Sequence, residues 1–304
     1  TAPLPSSLLM AVIPAQVAGV KDIMVCTPPG REGVPVPSVI YAAAHMLGIE
    51  RVYQLGGAQA VAAMAYGTET IPRVNKIVGP GNLFVTLAKK QVFGDVAIDG
   101  LYGPTETVLI ADGSADPVHV AADLLAQAEH DPMASPILVT TDRKLIDIMP
   151  QELEHQLARL ERKDIAITAL SRGGCAVLVG SIDEAVELGN LIAPEHMCLL
   201  VKDPWMWVDK VKNAGGLFLG EYSPEVVGDY VAGPSHVMPT GGTSRFSSAL
   251  GVHQFLRTMP VVGLKPEGFD ELSEAVSVIA RSEGLTAHAM AMEVRLSGKG
   301  SDGQ

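Results

Sequence analysis

Cysteine is nearly absent: Cys26, Cys175 and Cys198 are the only three in 304 residues. They are far apart, sit in apolar settings such as "IMVCTPP" and "GGCAVLVG", and form no CxxC pair. A cysteine-ligated zinc, a dithiol redox centre and a disulfide framework are therefore excluded, and reduced core thiols of a cytoplasmic protein are expected. Basic residues are also scarce, with 22 Lys and Arg against 34 Asp and Glu for a net charge of −12. No block of Lys or Arg stands out, so a nucleic-acid surface is not expected. Acidity of this size serves solubility and carries no information about a substrate. Long hydrophobic runs are missing too. The apolar segments are interrupted by the 31 Gly and 21 Pro before they reach membrane-spanning length. The opening "TAPLPSSLLMAVIPAQVAG" has no basic residue ahead of its apolar run and makes a poor signal peptide.

What the chain does have is a rhythm. "DIMVCT", "RVYQL" and "NKIVG" are short apolar strands, and "VPSVIYAAAHMLG", "AQAVAAMAYG" and "NLFVTLAKKQVFG" are the helices that alternate with them. The pattern returns in "TVLIAD", "PILVTT", "AVLVG", "MCLLV" and "GGLFLG", with helices expected at 117–130, 142–160, 181–191 and 204–213. Alternating strands and helices predict βαβ units and parallel sheets. The expected fold is α/β: two Rossmann-like parallel-sheet domains, residues 1–102 and 103–259, followed by a helical C-terminal arm, 260–304. Helices are expected at 267–281 and 284–296, and "SGKGSDGQ" as a frayed tail.

Ligands of open parallel sheets bind at the carboxyl ends of strands, where backbone N–H groups of helix N-termini are free. "QLGGAQA" and "VGPGN" are Gly-rich turns at such places. Neither matches GxGxxG or a phosphate loop ending in Gly-Lys-Ser/Thr, so a nucleotide site and an ordinary tight turn both remain open. In "LLAQAEHDP", Gln127 and His130 share a helix face, as ligands or as a capping His beside a surface Gln. "GDYVAGPSHVMPTGG" places Asp229 and His236 in a Gly/Pro-rich loop, where they serve as ligands, as a base with its orienting acid, or as turn formers. "SEGLTAHAMA" puts Glu283 and His288 near the start of an Ala/Met-rich helix, where a lone histidine is ordinarily a core or interface residue.

"LIAPEHMCLL" is the oddest stretch, with Glu195 and His196 side by side after Pro194 in an aliphatic run. Charge beside buried apolar surface is costly unless paired, which suits an acid–base couple on a constrained loop. A loop Glu and His at a strand edge is the bland alternative. Taken together, Gln127, His130, Asp229 and His288 are a nitrogen and oxygen donor set without thiolate, of the kind found in catalytic zinc sites.

"KIVGPGN", "ADLLAQAEHDP", "APEHM", "GDYVAGPSHVMPTGGTSRFSSALGV" and "EGLTAHA" resemble, in order and spacing, the motifs of the histidinol dehydrogenase family, from about Pro3 to Arg295. The resemblance implies oxidation of L-histidinol through the aldehyde to L-histidine with two NAD, the last steps of histidine biosynthesis. It also implies zinc on Gln127, His130, Asp229 and His288. His196 matches the general base and Glu195 the residue that activates water for the second oxidation. Thr105, Gln127, His130, His196, Asp229, His236, Glu283 and His288 match substrate-binding positions, and Gln59 and Asn82 match NAD contacts. An intertwined homodimer is implied, with Glu283 and His288 serving the partner's site. Two departures stand out. The family carries a segment ahead of the region matching "APLPSSLLM", including a Tyr-containing loop on NAD, so the resemblance is to a short form. Thr105 stands where the family usually has Ser, which keeps the hydroxyl and adds a methyl. Relatives oxidise other small polar alcohols, including a sulfonated diol, and a catalytically silent zinc-binding form is a further alternative. Retained His236 and Glu283 favour histidinol, and intact catalytic positions favour an enzyme.

Overall fold

Apolar runs in the middle of the chain assemble into a five-stranded, wholly parallel sheet in the computed structural model, which describes residues 3–30 and 34–297. Apart from Ser297, the tail "SGKGSDGQ" lies outside the described residues. In chain order the elements begin with α1 (Pro5–Val17), β1 (Met24–Cys26), α2 (Ser38–Met46), β2 (Arg51–Tyr53), α3 (Gly57–Tyr66), β3 (Lys76–Ile77), α4 (Leu83–Val92) and β4 (Ala97–Ile98). They continue with β5 (Glu106–Ala111), α5 (Pro117–Ala128), β6 (Ser135–Thr140), α6 (Arg143–Leu157), α7 (Lys163–Gly173), β7 (Cys175–Leu178), α8 (Ile182–Ile192), β8 (His196–Leu200), β9 (Gly216–Leu219) and α9 (Glu225–Tyr230). The helices α10 (Pro266–Ser282) and α11 (Thr286–Ser297) close the series. The chain divides into two compact units, one up to Leu256 and one from Arg257 onward, the second built on α10 packed against α11.

In the first unit the strand order is β7-β6-β5-β8-β9. The chain starts in the centre at β5, winds outward to β7, then crosses back and winds outward through β8 to β9. Strand alternation divides the core. Leu109 and Ala111 face α5 and α6 through Leu124, Leu138, Leu145, Cys198 and Leu200. Val108 and Ile110 face α8 through Ala185, Val186, Met197 and Leu199. Both faces are covered, which is why these strands are continuously apolar. The earlier strands form two parallel pairs, β1 with β2 and β3 with β4, and a smaller core of Val61, Ala65, Ile77, Val92 and Val96 joins β3 to α3 and α4.

Several elements differ from the sequence expectations. Where a helix is expected at 204–213, Pro204–Lys210 form a 3-10 segment that buries no side chain fully and packs only Trp207 partly against the core. Helix α7 is unanticipated because Ala166 and Ala169 alone carry its buried face. Helix α1 is apolar all round, which hides any period. Asp229, expected in a loop, rides on α9. No helix among the described residues is long and apolar enough to cross a membrane.

Helix α5 turns two polar side chains inward, Asp123 and Gln127. Burial pushes the Asp123 carboxyl from near 3.8 up to about 6, with His119 opposing. A carboxyl raised by folding adds stability at low pH and loses it as pH rises through the folded value. Two units correspond to roughly 3 kcal/mol. Asp123→Asn is therefore expected to match wild type near pH 4 and to become progressively more stable towards pH 7, as read from urea midpoints. A pH-independent difference would contradict this account.

Candidate functional site

The "LIAPEHM" stretch is held by backbone before its side chains do anything. Ala193 ends α8 at φ 56, the only non-glycine with positive φ among the described residues. That conformation costs about 1–2 kcal/mol, and it is held by the Ala193 N–H donating to Gly189 O at 2.8 Å and by Ser244 Oγ donating to Ala193 O at 2.8 Å. Pro194 follows with its restricted φ. The Gly215 N–H then donates to Pro194 O at 3.0 Å and the Gly216 N–H to Glu195 O at 2.8 Å. A Cβ on Gly215 would stand 2.6 Å from the Glu195 carbonyl oxygen, so only glycine permits this stitching. His196 then enters the sheet as the first residue of β8, opposite Thr107 of β5.

The acid–base cluster thus lies at the amino edge of the five-stranded sheet, not at its carboxyl edge. At the carboxyl edge the crevice between β5 and β8 is closed by Asp112, whose carboxylate accepts from the Lys202 N–H at 3.0 Å and the Ser114 N–H at 2.9 Å. At the amino edge the first residues of β5, β8 and β9, the end of α5 and the short α9 leave room. A cleft of about 180 Å³ there is lined by Thr105, His130, Glu195, His196, Asp229 and His236, with Ser7 and Tyr102, and by Pro80 and Gly81 of the "VGPGN" turn.

His196 is buried against Phe218, ring centroids 5.7 Å apart, and neither ring nitrogen has a hydrogen-bond partner among the described residues. Burial, reinforced by His130 and His236, pushes its pKa down to about 3. Burial thus favours the uncharged ring, which offers a lone pair to a hydrogen-bond donor. Its Nδ1 lies 3.9 Å from Glu195 Oε2 and 4.0 Å from Glu225 Oε2. Glu195 accepts a hydrogen bond from Thr105 Oγ1. Burial, with Asp229 and Glu106 adding repulsion, pushes Glu195 up to about 8 although the Thr105 bond opposes. Glu225 is raised to about 8 for the same chief reason, and burial also raises Asp229. Glu195 and Asp229 line the cleft and are within electrostatic reach of Glu106 and Glu225, and a positive charge there would relieve their repulsion.

Gln127 lies behind Thr105. With its amide orientation assigned from the surrounding network, its nitrogen donates to Glu225 Oε1 at 3.0 Å and its oxygen accepts from the Glu106 N–H at 3.2 Å. Thr107 Oγ1 donates to Glu225 Oε2 at 2.6 Å. His236 has a defined tautomer: the Asp229 carbonyl oxygen takes the Nδ1–H at 2.8 Å, so Nε2 accepts from Ser7 Oγ at 2.9 Å. Glu225 and Ser7 escaped sequence reasoning. Each sits near a helix start, where Ser and Glu are ordinary.

The remaining expected residues lie elsewhere. Gln59 is in the first turn of α3, its amide close over Gly57, and Asn82 caps α4 by accepting the Val85 N–H at 3.1 Å. Glu283 and His288 belong to the second unit and are exposed. For zinc, the donor chemistry and the acidity of the cleft fit, and His130 and Asp229 open on it. Among the described residues, however, no group of three His, Cys, Asp or Glu is placed to hold an ion by itself.

Known proteins resemble this chain along nearly its whole length. The family model for histidinol dehydrogenase matches residues 1–296. The histidinol dehydrogenase of Thermus thermophilus is 53% identical over 295 residues, 97% of this chain and 70% of that protein. The Moorella thermoacetica enzyme is 52% identical, with 97% and 69% covered. The crystal structure of histidinol dehydrogenase from Elizabethkingia anophelis superposes with a TM-score of 0.93 at 41% identity, covering 99% of this chain and 69% of that one. The parallel sheets, the paired Glu195 and His196, and a match running through nearly every residue have one explanation: the chain belongs to the histidinol dehydrogenase family.

Proposed function

We propose that this chain oxidises L-histidinol to L-histidine through the aldehyde, reducing two NAD, as the last steps of histidine biosynthesis. The observation that carries the reading is one cleft holding Glu195, His196, His130, Asp229 and His236 at the edge of a Gly-rich turn. Neutral His196 takes the hydroxyl proton as hydride leaves the same carbon for the nicotinamide. Glu195 holds the water that hydrates the aldehyde, and His196 takes the proton released with the second hydride. Pro80 and Gly81 line the dinucleotide side of the cleft, Asn82 and Gln59 contact NAD outside its lining in this reading, and Thr105 and His236 hold the substrate. Gln127, His130, Asp229 and His288 are the zinc ligands in this reading. When bound, zinc anchors the substrate amine and imidazole, a templating role.

Residues 1–102 form the NAD-binding Rossmann-like domain in this proposal, 103–259 the second such domain with the catalytic and zinc residues, and 260–304 a helical arm. The arm's exposed Leu272, Val276, Ile279 and Met290 support an exchanged homodimer in which Glu283 and His288 complete the partner's site. A cytoplasmic location fits the reduced thiols and the lack of a spanning helix among the described residues. The test is NADH formation by the purified chain with L-histidinol, alongside metal content by elemental analysis. Zinc-dependent turnover supports the reading, and a folded, zinc-loaded chain that forms no NADH overturns it.

A further inference from the structure

Lys89 and Lys90 are adjacent on α4, yet Lys90 is exposed and the Lys89 side chain is 2% exposed. Its ammonium is paired with Asp99, whose carboxylate is wholly buried. Both charges converge on one residue of the "VGPGN" turn. Lys89 Nζ donates to Gly79 O at 3.0 Å, and Asp99 Oδ2 accepts the Gly79 N–H at 2.6 Å. Asp99 Oδ1 also accepts the Gly100 N–H at 2.8 Å. The Lys89 ammonium lies 4.8 Å from the centroid of Tyr102, whose carbonyl accepts from Thr86 Oγ1 at 2.6 Å and whose side chain lines the cleft. Gly79 has φ 114, a conformation open to glycine alone.

A buried ion pair is a poor way to gain stability, because desolvation offsets most of its attraction and apolar replacements are often as stable. What an apolar pair cannot do is hold the N–H and the C=O of the same glycine. We propose that Lys89 and Asp99 are positioning residues for the dinucleotide: a buried clamp on Gly79 that sets the turn Gly79-Pro80-Gly81-Asn82 and Tyr102 at the rim of the cleft. The inference rests on the reading that this turn faces NAD. The clamp touches no substrate atom and acts through the backbone of the turn.

The test is Lys89→Met/Asp99→Asn in the purified chain, which removes both charges and leaves no unpaired one in the core. NAD affinity is measured by calorimetry without substrate, the unfolding midpoint by circular dichroism, and KM for NAD and for L-histidinol by turnover. Expected is a fall in NAD affinity of about tenfold or more, as for loss of one well-placed interaction, with KM for L-histidinol and zinc content unchanged and the unfolding midpoint retained. A lowered midpoint with unchanged NAD affinity of the folded protein assigns the pair a merely structural role and overturns the clamp. Asn82→Ala separates the two readings. If it weakens NAD binding while the double variant does not, the clamp alone fails. If neither weakens it, the turn does not face NAD and both fail.

Discussion

His196→Ala is expected to lower NADH formation from L-histidinol by about 10²–10⁴-fold, the usual contribution of a positioned general base. The ring is held neutral by burial, and both nitrogens lack a partner among the described residues. An imidazole with no structural hydrogen bond to satisfy is kept for a bond it makes with something else. The loss should fall on kcat, because the backbone of the stretch is fixed by Gly215, Gly216 and Ser244 and does not depend on the ring. Truncation also opens a void beside Phe218, so the unfolding midpoint is read in parallel, with His196→Asn as a variant that fills more of the space. A rate within threefold of wild type in a folded variant would remove His196 from the chemistry.

Glu195→Gln separates the two half-reactions. Glutamine keeps the volume and still accepts from Thr105 Oγ1, so the local packing survives. What it loses is the carboxylate that holds and deprotonates water. The expected result is a fall of about 10²–10³-fold in oxidation of the aldehyde, with a much smaller effect on oxidation of the alcohol. With limiting L-histidinol and a carbonyl-trapping amine present, NADH yield should fall from two equivalents per alcohol towards one. An equal loss in both half-reactions would show that Glu195 acts on substrate binding or on the first proton transfer instead. Deep burial pushes its pKa up to about 8, so its water-activating carboxylate form requires alkaline pH or a positive charge nearby.

Much of this was legible in one dimension. The strands from "DIMVCT" to "GGLFLG" are written in short aliphatic runs, and those at the centre of the five-stranded sheet, β5 and β8, are covered on both faces and need no polar side. The pairing of Glu195 with His196 was visible because charge inside an aliphatic run is costly enough to demand a reason. Helix α7 was not visible, since two alanines give no usable period, and neither was the 3-10 segment at Pro204–Lys210. Glu225 carried no signal in the sequence, because no helix was expected at Glu225–Tyr230. Only its burial beside Thr107, Gln127 and His196 gives it a role.

The sequence by itself determined the α/β class, the family and the identity of the chemical groups, since periodicity and local motifs are properties of neighbours along the chain. The tertiary structure decided which edge of the sheet is used. Asp112 closes the carboxyl edge, and Thr105, Glu195, His236 and Gly81 meet at the amino edge of the strands. It also decided that Lys89 is buried while Lys90 is not. Both outcomes depend on contacts between residues far apart in the chain, and the desolvation that sets their energies exists only once those residues have met.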